Sequence, residues 1–293
     1  MKNRYAAIVV LYRANKKVLK NIESYYSEVE EIFLIDNTET EKIKKDLESF
    51  ENKCKYIYIS LGKNMGLAYA LNYGCNIAVE KGYNYVLTMD QDSIFEIGSV
   101  DRMKKFIENS HKEYAIVAPN VKAIYDKGND YVTINSLLEK KDSPYQEFEW
   151  VITSGSFLNM KFFKQVNGFD NSLFIEHIDI DYCIKIKLIE QKIIVLNNAV
   201  LNQRYGNLKE KNFLWRKIYP SYYNPERYYY LFRNRILLKN KYDKKIIRIF
   251  FREKFIKRLI KVWIYEDYKI EKTIMSIKGI IDGKKGQTGK YEL

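Results

Sequence analysis

Four short apolar runs open this chain, each the length of a strand and each set apart by a segment with helical spacing. Tyr5–Leu11 (YAAIVVL), Glu31–Ile35 (EIFLI), Lys55–Ile59 (KYIYI) and Tyr85–Met89 (YVLTM) read as strands. They are too short for helices and rich in β-branched and aromatic residues. Lys16–Tyr26, Glu39–Glu51 and Gly66–Lys81 lie between them and read as helices. In the last, Leu67, Ala70, Leu71, Gly74 and Ala78 recur every three or four residues. A βαβαβαβ order with short links predicts an α/β fold with a mostly parallel central sheet and helices on both faces. Ligands of such sheets bind outside the carboxyl ends of the strands. Tyr12, Asp36 and Asp90 each close a strand at that edge.

The pattern then loosens. Tyr114–Val117 reads as a strand, Lys122–Tyr145 as polar and loop-rich, and Glu149–Asn159 as a strand broken at Gly155. Ile178–Glu190 suits a helix, Lys192–Leu196 a strand, and Asn224 to about Asp282 is helical. With 293 residues, 46% of them apolar, the simplest division is a catalytic domain over 1–240 and a helical extension over 241–293. That domain would divide into two halves, about 1–95 and about 96–240. The sequence has no run of about 18 uncharged apolar residues, so no spanning helix is expected. The apolar N-terminal run is too brief for an export signal. Three scattered cysteines (Cys54, Cys75, Cys183) fit no metal or redox motif. A cytoplasmic location is the expectation.

Chemistry concentrates where the fourth strand ends. The stretch YVLTMDQDSIF carries an apolar strand to its tip and places Asp90 and Asp92 there. Carboxylates so placed suit Mg²⁺ or Mn²⁺, which bind a few acids plus substrate phosphates. The sequence has no GxGxxG and no GxxxxGK[ST], so neither a dinucleotide site nor a P-loop is supported. A lone acidic pair is a weak signal; its place after a buried strand gives it weight.

Six motifs in order then resemble the family 2 glycosyltransferases of the GT-A fold, most closely their rhamnosyltransferase branch. They are AIVVLYRAN, FLIDNTE, GKNMGLAYALNYG, LTMDQDSIF, the pair ITSGSFL and GFDNSLFIEHIDIDYCIK, and YNPERYYYLFRNRILL. The resemblance covers roughly Tyr5 to Leu238. It implies an inverting, metal-dependent transfer of a sugar, rhamnose favoured, from a dTDP- or UDP-sugar to a glycan or lipid-linked glycan acceptor in cell-surface polysaccharide synthesis. Tyr12, Asp36, Asn64, Gly66, Asp90, Arg227 and Arg233 would then face the nucleotide sugar. Asp36 would accept from the base, or else cap its strand. Asn64 and Gly66 would admit the nucleotide to the backbone, with Asn64 also placed to cap the helix. Arg227 and Arg233 would meet phosphate or stand as solvated helix charge. Ser154, Gly155 and His177 fall on the acceptor side. Asp179, then Glu176, is the expected catalytic base, and Asp181 reads as a helix-surface acid. Two positions depart from the family pattern. Glu176-His177 stands where Glu-Asp is common, and Gln203 stands where a metal-binding His is common, leaving Asp90, Asp92 and Gln203 as the metal set.

Charge separates the tail from the body. The chain carries 50 Lys and Arg against 37 Asp and Glu, a net +13. Lys239–Lys285 holds 15 basic and 6 acidic residues, so +9 of that excess lies there. Within Lys244–Glu266 one apolar stripe holds Ile246, Ile249, Ile256, Ile260 and Trp263, and another Phe251, Phe255 and Val262. The first reads as a packing face. The second, with its cationic flanks, predicts peripheral binding to the anionic inner membrane surface. Two other readings compete. A nucleotidyltransferase of related architecture would want a glycine- and base-rich loop after the first strand, and VVLYRANKK has no glycine. A non-enzymatic nucleic-acid-binding protein would use the charge and the 15% aromatic content, without an acidic nucleotide pocket. No nucleic-acid partner is expected.

Overall fold

The computed structural model describes residues 3–40, 43–48, 54–127, 130–136, 143–206, 208, 210–213, 216–251 and 255–292. Its first half follows the alternation. Strands β1 (Tyr5–Leu11), β2 (Glu31–Asp36), β3 (Tyr56–Ser60) and β4 (Tyr85–Asp90) lie side by side in the order β3-β2-β1-β4, all parallel. Helices α1 (Lys17–Ile22), α2 (Lys44–Glu48) and α3 (Leu67–Glu80) make the crossovers. Every residue of β1 and β2 is buried, which is why their sequences run apolar without alternating. Leu11 pairs with Asp36 and Val10 with Asp90, so the chain reversals after β1, β2 and β4 gather at one edge. Helix α3 lies close to β1. A Cβ at Gly74 would meet the Ile8 side chain at 2.9 Å, so glycine sets that spacing.

The second half is not parallel. After β5 (Ile94–Phe95) and α4 (Ser99–Asn109) come β6 (Ile116–Lys127), β7 (Asp130–Ser136), β8 (Tyr145–Phe148) and β9 (Ser156–Asn159). Helices α5 (Met160–Gln165) and α6 (Ile178–Leu188), strand β10 (Ile193–Arg204) and a small hairpin of β11 (Lys211–Phe213) and β12 (Arg216–Ile218) follow. The sheet continues β4-β9-β6-β10-β5. Strand β9 is antiparallel to both its neighbours, and β6 and β10 are parallel. A mostly parallel sheet therefore describes β1–β4 alone. The polar stretch expected to be loop-rich forms a hairpin of β6 and β7 instead. An edge strand needs no apolar run on both faces, so polarity concealed it. Positions 128–129 and 137–142 of that stretch lie outside the described residues. Strand β10 outruns Lys192–Leu196 because a register shift between Leu196 and Val200 absorbs the polar Asn197-Asn198.

Four helices finish the described chain: α7 (Pro225–Lys241), α8 (Lys244–Phe250), α9 (Phe255–Tyr265) and α10 (Lys269–Lys284). Asn224 caps α7 by accepting from the Arg227 N–H at 2.9 Å, with proline at the first position, where no N–H is missed. Helix α10 packs tightly on α7. A Cβ at Gly279 would fall 2.4 Å from the Tyr229 carbonyl oxygen, and one at Gly283 would fall 2.8 Å from that of Arg233. The expected boundary at residue 240 falls inside the last turn of α7, whose flank α10 covers. Ile246 and Ile249 of the first stripe pack against the core, but within α9 the two stripes exchange roles. Val262 is fully buried and Phe255 stacks on Phe232, while Ile256, Ile260 and Trp263 face outward. Packing against α7 selected the aromatic stripe.

Candidate active site

The turn after β4 is held from both sides before any ligand arrives. Gln91 accepts from the Tyr12 N–H at 2.9 Å and donates to the Tyr12 carbonyl at 3.1 Å. The Asn21 amide donates to the Gln91 carbonyl at 2.8 Å, and Arg204 to the Asp92 carbonyl at 2.8 Å. Beneath the turn runs a closed ring of hydrogen bonds. The Gln203 amide donates to Asp90 Oδ2 at 3.0 Å, and its carbonyl oxygen accepts from the Ser93 hydroxyl. Ser93 in turn accepts from Ser154 at 2.9 Å, and Ser154 accepts from the Asp90 N–H at 3.1 Å. Ser93, Ser154 and Gln203 are all buried.

This ring corrects two expectations, and the backbone at Gly155 a third. Gln203 shows Asp90 its nitrogen and spends its oxygen on Ser93, so it orients the carboxylate rather than joining a metal. Reversing the amide would set two acceptors against each other. Ser154 is buried behind β4 and spends its hydroxyl on the ring, not on an acceptor. Gly155, also buried, sits at φ +80, where a Cβ would strike Leu201 at 2.7 Å and Pro119 at 3.0 Å. It makes the reversal into β9 and touches no acceptor.

Asp90 and Asp92 remain as the acidic pair. Burial raises the Asp90 pKa, with the Gln203 hydrogen bond and the Arg227 charge pulling it back. Asp92 is pushed up to about 6, by burial first and by the Asp90 charge second. Two desolvated, mutually repelling carboxylates at a strand tip suit a hard divalent ion. Among the described residues no cluster of three or more His, Cys, Asp or Glu would cage one. The pair therefore fits the Mg²⁺ pattern of a few carboxylates plus substrate phosphates.

Opposite lies the segment from Leu173 to Asp179. Phe174, Glu176 and His177 all have positive φ, a strained run for non-glycine residues. Arg233 and Asn234, both fully buried, hold it by its carbonyls. Arg233 donates to Leu173 at 3.0 Å, Ser172 at 3.4 Å and Gly289 at 2.6 Å; Asn234 donates to Leu173, Ile175 and Glu176. Arg233 is thus walled in and cannot reach a nucleotide phosphate. His177 is likewise packed. Its Nε2 meets the Leu231 carbonyl at 3.1 Å, its ring abuts Phe251, and burial pushes its pKa down to about 4. It is a neutral packing group, not an acceptor contact. Asp181 is fully buried rather than on the helix surface. It accepts from Lys241 and Tyr242, each at 2.7 Å.

Two acids of that region, Asp179 and Glu176, stay partly exposed. Asp179 accepts from the Ile180 N–H at 2.8 Å and has its pKa raised to about 7. Burial is the main cause; the neighbouring Glu176 and Asp90 charges add to it. Glu176 pairs with Arg227, whose guanidinium stacks 3.9 Å over the Tyr223 ring. Arg204 and Arg227 border a cleft of about 990 Å³ that Tyr125, Tyr222, Tyr223 and Tyr268 also line.

At the other strand tips the donors are mostly engaged. Asp36 is buried, takes Thr38 on Oδ1 and takes the Tyr58 hydroxyl on Oδ2 at 2.6 Å. Oδ1 takes both the N–H and the hydroxyl of Thr38, so the free lone pair is on Oδ2. Asn64 is not the helix cap; α3 begins after Gly66, and Asn64 instead accepts from Gly66 and Asn37. Gly66 stands at φ +93 because Phe174 fills the space a Cβ would need, 2.6 Å away. Tyr12 is exposed. Sequence reading missed Gln91, Ser93 and Asn37. The two residues inside or beside the acidic pair, Gln91 and Ser93, stood in plain view as the middle and end of DQDS.

The family model for glycosyl transferase family 2 matches residues 6–167, which reach from β1 past the acidic pair to just beyond α5. The chain belongs to that family. It is a glycosyltransferase, which removes the nucleotidyltransferase and nucleic-acid-binding readings. It is 26% identical to dTDP-rhamnosyl transferase RfbF of Shigella flexneri over 310 aligned positions, 99% of this chain and 98% of that one. Its fold is of the GT-A type. S. aureus TarS 1–349, solved in complex with UDP-GlcNAc, superposes with a TM-score of 0.61 at 16% identity, over 97% of this chain and 81% of that one. GalNAc-T7 with UDP, GalNAc and Mn²⁺ gives 0.57 at 14%, covering 69% of this chain; the match spans 44% of the GalNAc-T7 chain.

Proposed function

We propose that this glycosyltransferase moves rhamnose, with inversion, from a dTDP-sugar (UDP-sugars being the runner-up donors) to a glycan or lipid-linked glycan acceptor at a membrane surface. The donor class rests on the full-length similarity to RfbF and on the nucleotide-sugar complex of TarS. One observation carries the chemistry: Asp179, partly exposed at the start of α6, lies near enough to Asp90 for burial and that charge together to raise its pKa to about 7. A carboxylate poised near 7 takes a proton efficiently at neutral pH.

Asp90 and Asp92 would hold Mg²⁺ or Mn²⁺, which when bound supplies Lewis-acid neutralisation of the donor diphosphate. Gln203 and the serine ring fix the Asp90 carboxylate, so no reorganisation is needed as substrate arrives. Asp179 accepts the acceptor hydroxyl's proton as that oxygen bonds to the anomeric carbon and the bond to the diphosphate breaks. Arg227, steadied by Glu176 and Tyr223, adds positive charge where the leaving group gathers negative charge. Glu176 is the second candidate base, but its ion pair with Arg227 occupies it. The tyrosine-lined cleft next to Arg204 suits the acceptor glycan, whose apolar sugar faces stack on aromatic rings.

The test is transfer from dTDP-rhamnose, against UDP-sugars, with Mg²⁺ or Mn²⁺ and with EDTA. Asp92→Ala should reduce turnover to background while the fold melts normally, since the side chain sits at a strand tip. Full activity of this variant, or of the wild type in EDTA, would remove the metal from the mechanism.

A further inference from the structure

Helices α9 and α10 turn an unusual face to solvent. Ile256, Ile260, Trp263 and Ile264 are 70, 52, 50 and 44% exposed; Ile270, Ile274, Ile277 and Ile281 are 63, 57, 50 and 47% exposed. Their spacing puts each set on one side of its helix. Packing explains the orientation. Helix α10 meets α7 through Lys272, Ser276, Gly279 and Gly283, the opposite side of its turns, and α9 buries Val262. The Trp263 indole donates to Thr273 at 3.0 Å and ties the two helices together. Eight large apolar side chains outside the core exceed what a surface scatters at random, and a patch of this kind marks an interaction site.

The surrounding charge selects the occupant. Exposed Lys257 and Lys261 follow the α9 row, and exposed Lys278, Lys284 and Lys285 border the α10 row. The segment Lys239–Lys285 carries +9. Isoleucines with an indole, bounded by lysines, match an anionic bilayer: aliphatic side chains enter the acyl boundary, and ammonium groups meet the head groups. A second copy of this chain would bring the same lysines against themselves. Among the described residues no helix is long and apolar enough to cross a membrane, so the pair would lie on the surface. The geometry points to the α9–α10 isoleucine face as the surface by which the protein docks on an anionic membrane. Tyr268 stands between the two rows and also lines the cleft beside Arg204 and Arg227. Docking by this face therefore sets the cleft mouth beside lipid, where an amphiphilic acceptor resides. The inference deepens the acceptor proposed above and rests on that reading only for its purpose.

Flotation of the full chain with phosphatidylcholine vesicles, with and without phosphatidylglycerol, tests it at low and physiological salt. The wild type is expected to float with the anionic vesicles and to lose most of that binding in salt. The exposed-site double variant Ile274→Asp/Ile277→Asp should lose about tenfold or more in partitioning. Its melting temperature, and the rise in that temperature with dTDP or UDP and Mg²⁺, should be unchanged. That second readout separates failure of docking from failure of the donor assignment. Wild-type protein that does not float with anionic vesicles, or a variant that floats equally, overturns the inference. So does a dimer in light scattering that the variant converts to monomer, which would give the face to a second copy.

Discussion

Asp179→Asn is expected to lower transfer by about 10²–10⁴-fold while donor binding, read as a nucleotide-induced rise in melting temperature, is kept. The amide is nearly isosteric, can still accept from the Ile180 N–H, and loses only the capacity to take a proton. The pH profile supplies the sharper reading. A base works ionised, so wild-type turnover should fall on the acid side of about 7, where Asp179 gains its proton. Asp92 also titrates on that side, at about 6 before a cation stabilises its charge. The residual activity of Asp179→Asn should therefore lack the limb near 7. Asp179→Asn with near wild-type turnover, beside an inactive Glu176→Gln, would transfer the role to Glu176. Activity in both would make the acidic segment structural.

What could be read in the sequence followed from periodicity. Strands β1 and β2 are buried on both faces and announce themselves as unbroken apolar runs. The β6–β7 hairpin has polar residues and did not. The acidic pair was legible because a buried strand led to it. Roles that depend on what a polar group meets in space were not legible. Arg233 looked like a phosphate ligand from its motif, and Ser154 and His177 looked like acceptor contacts. Each is instead engaged by a partner 60 or so residues away: Leu173 for Arg233, Ser93 for Ser154, Leu231 for His177. Motif order locates such residues at the site; only packing decides whether a side chain faces substrate or supports a neighbour that does. Asp179 stays partly exposed at the start of α6, and Arg227 lines the cleft from the first turn of α7.

Ending the chain at Asn240 is expected to abolish cooperative folding rather than merely release a membrane anchor. The deletion removes Lys241 and Tyr242, leaving Asp181 fully buried with Lys185, 3.3 Å away, as its remaining cation. Breaking a buried ion pair from one side costs about 3–5 kcal/mol. It also removes Gly289, whose carbonyl accepts from Arg233, and strips α10 from the glycine-spaced groove on α7. The Tyr228, Leu231 and Phe232 side chains lose Val262 and Ile280 from their cluster. Losses of this kind approach or exceed the typical total stability of about 5–15 kcal/mol. A milder variant isolates the contribution of the walled-in guanidinium. Arg233→Met keeps bulk but leaves the Gly289 carbonyl without its side-chain donor, at about 1–3 kcal/mol, and takes one donor each from the Leu173 and Ser172 carbonyls, of which Leu173 keeps Asn234. Because those carbonyls shape the strained run before Asp179, the variant should lose turnover as well as melting temperature. Circular dichroism melts and amide exchange across residues 172–179 read both effects. A truncated chain that melts like the wild type and still binds nucleotide would show that the tail is a separable appendage, and that the segment carrying Asp179 is held by the catalytic half alone.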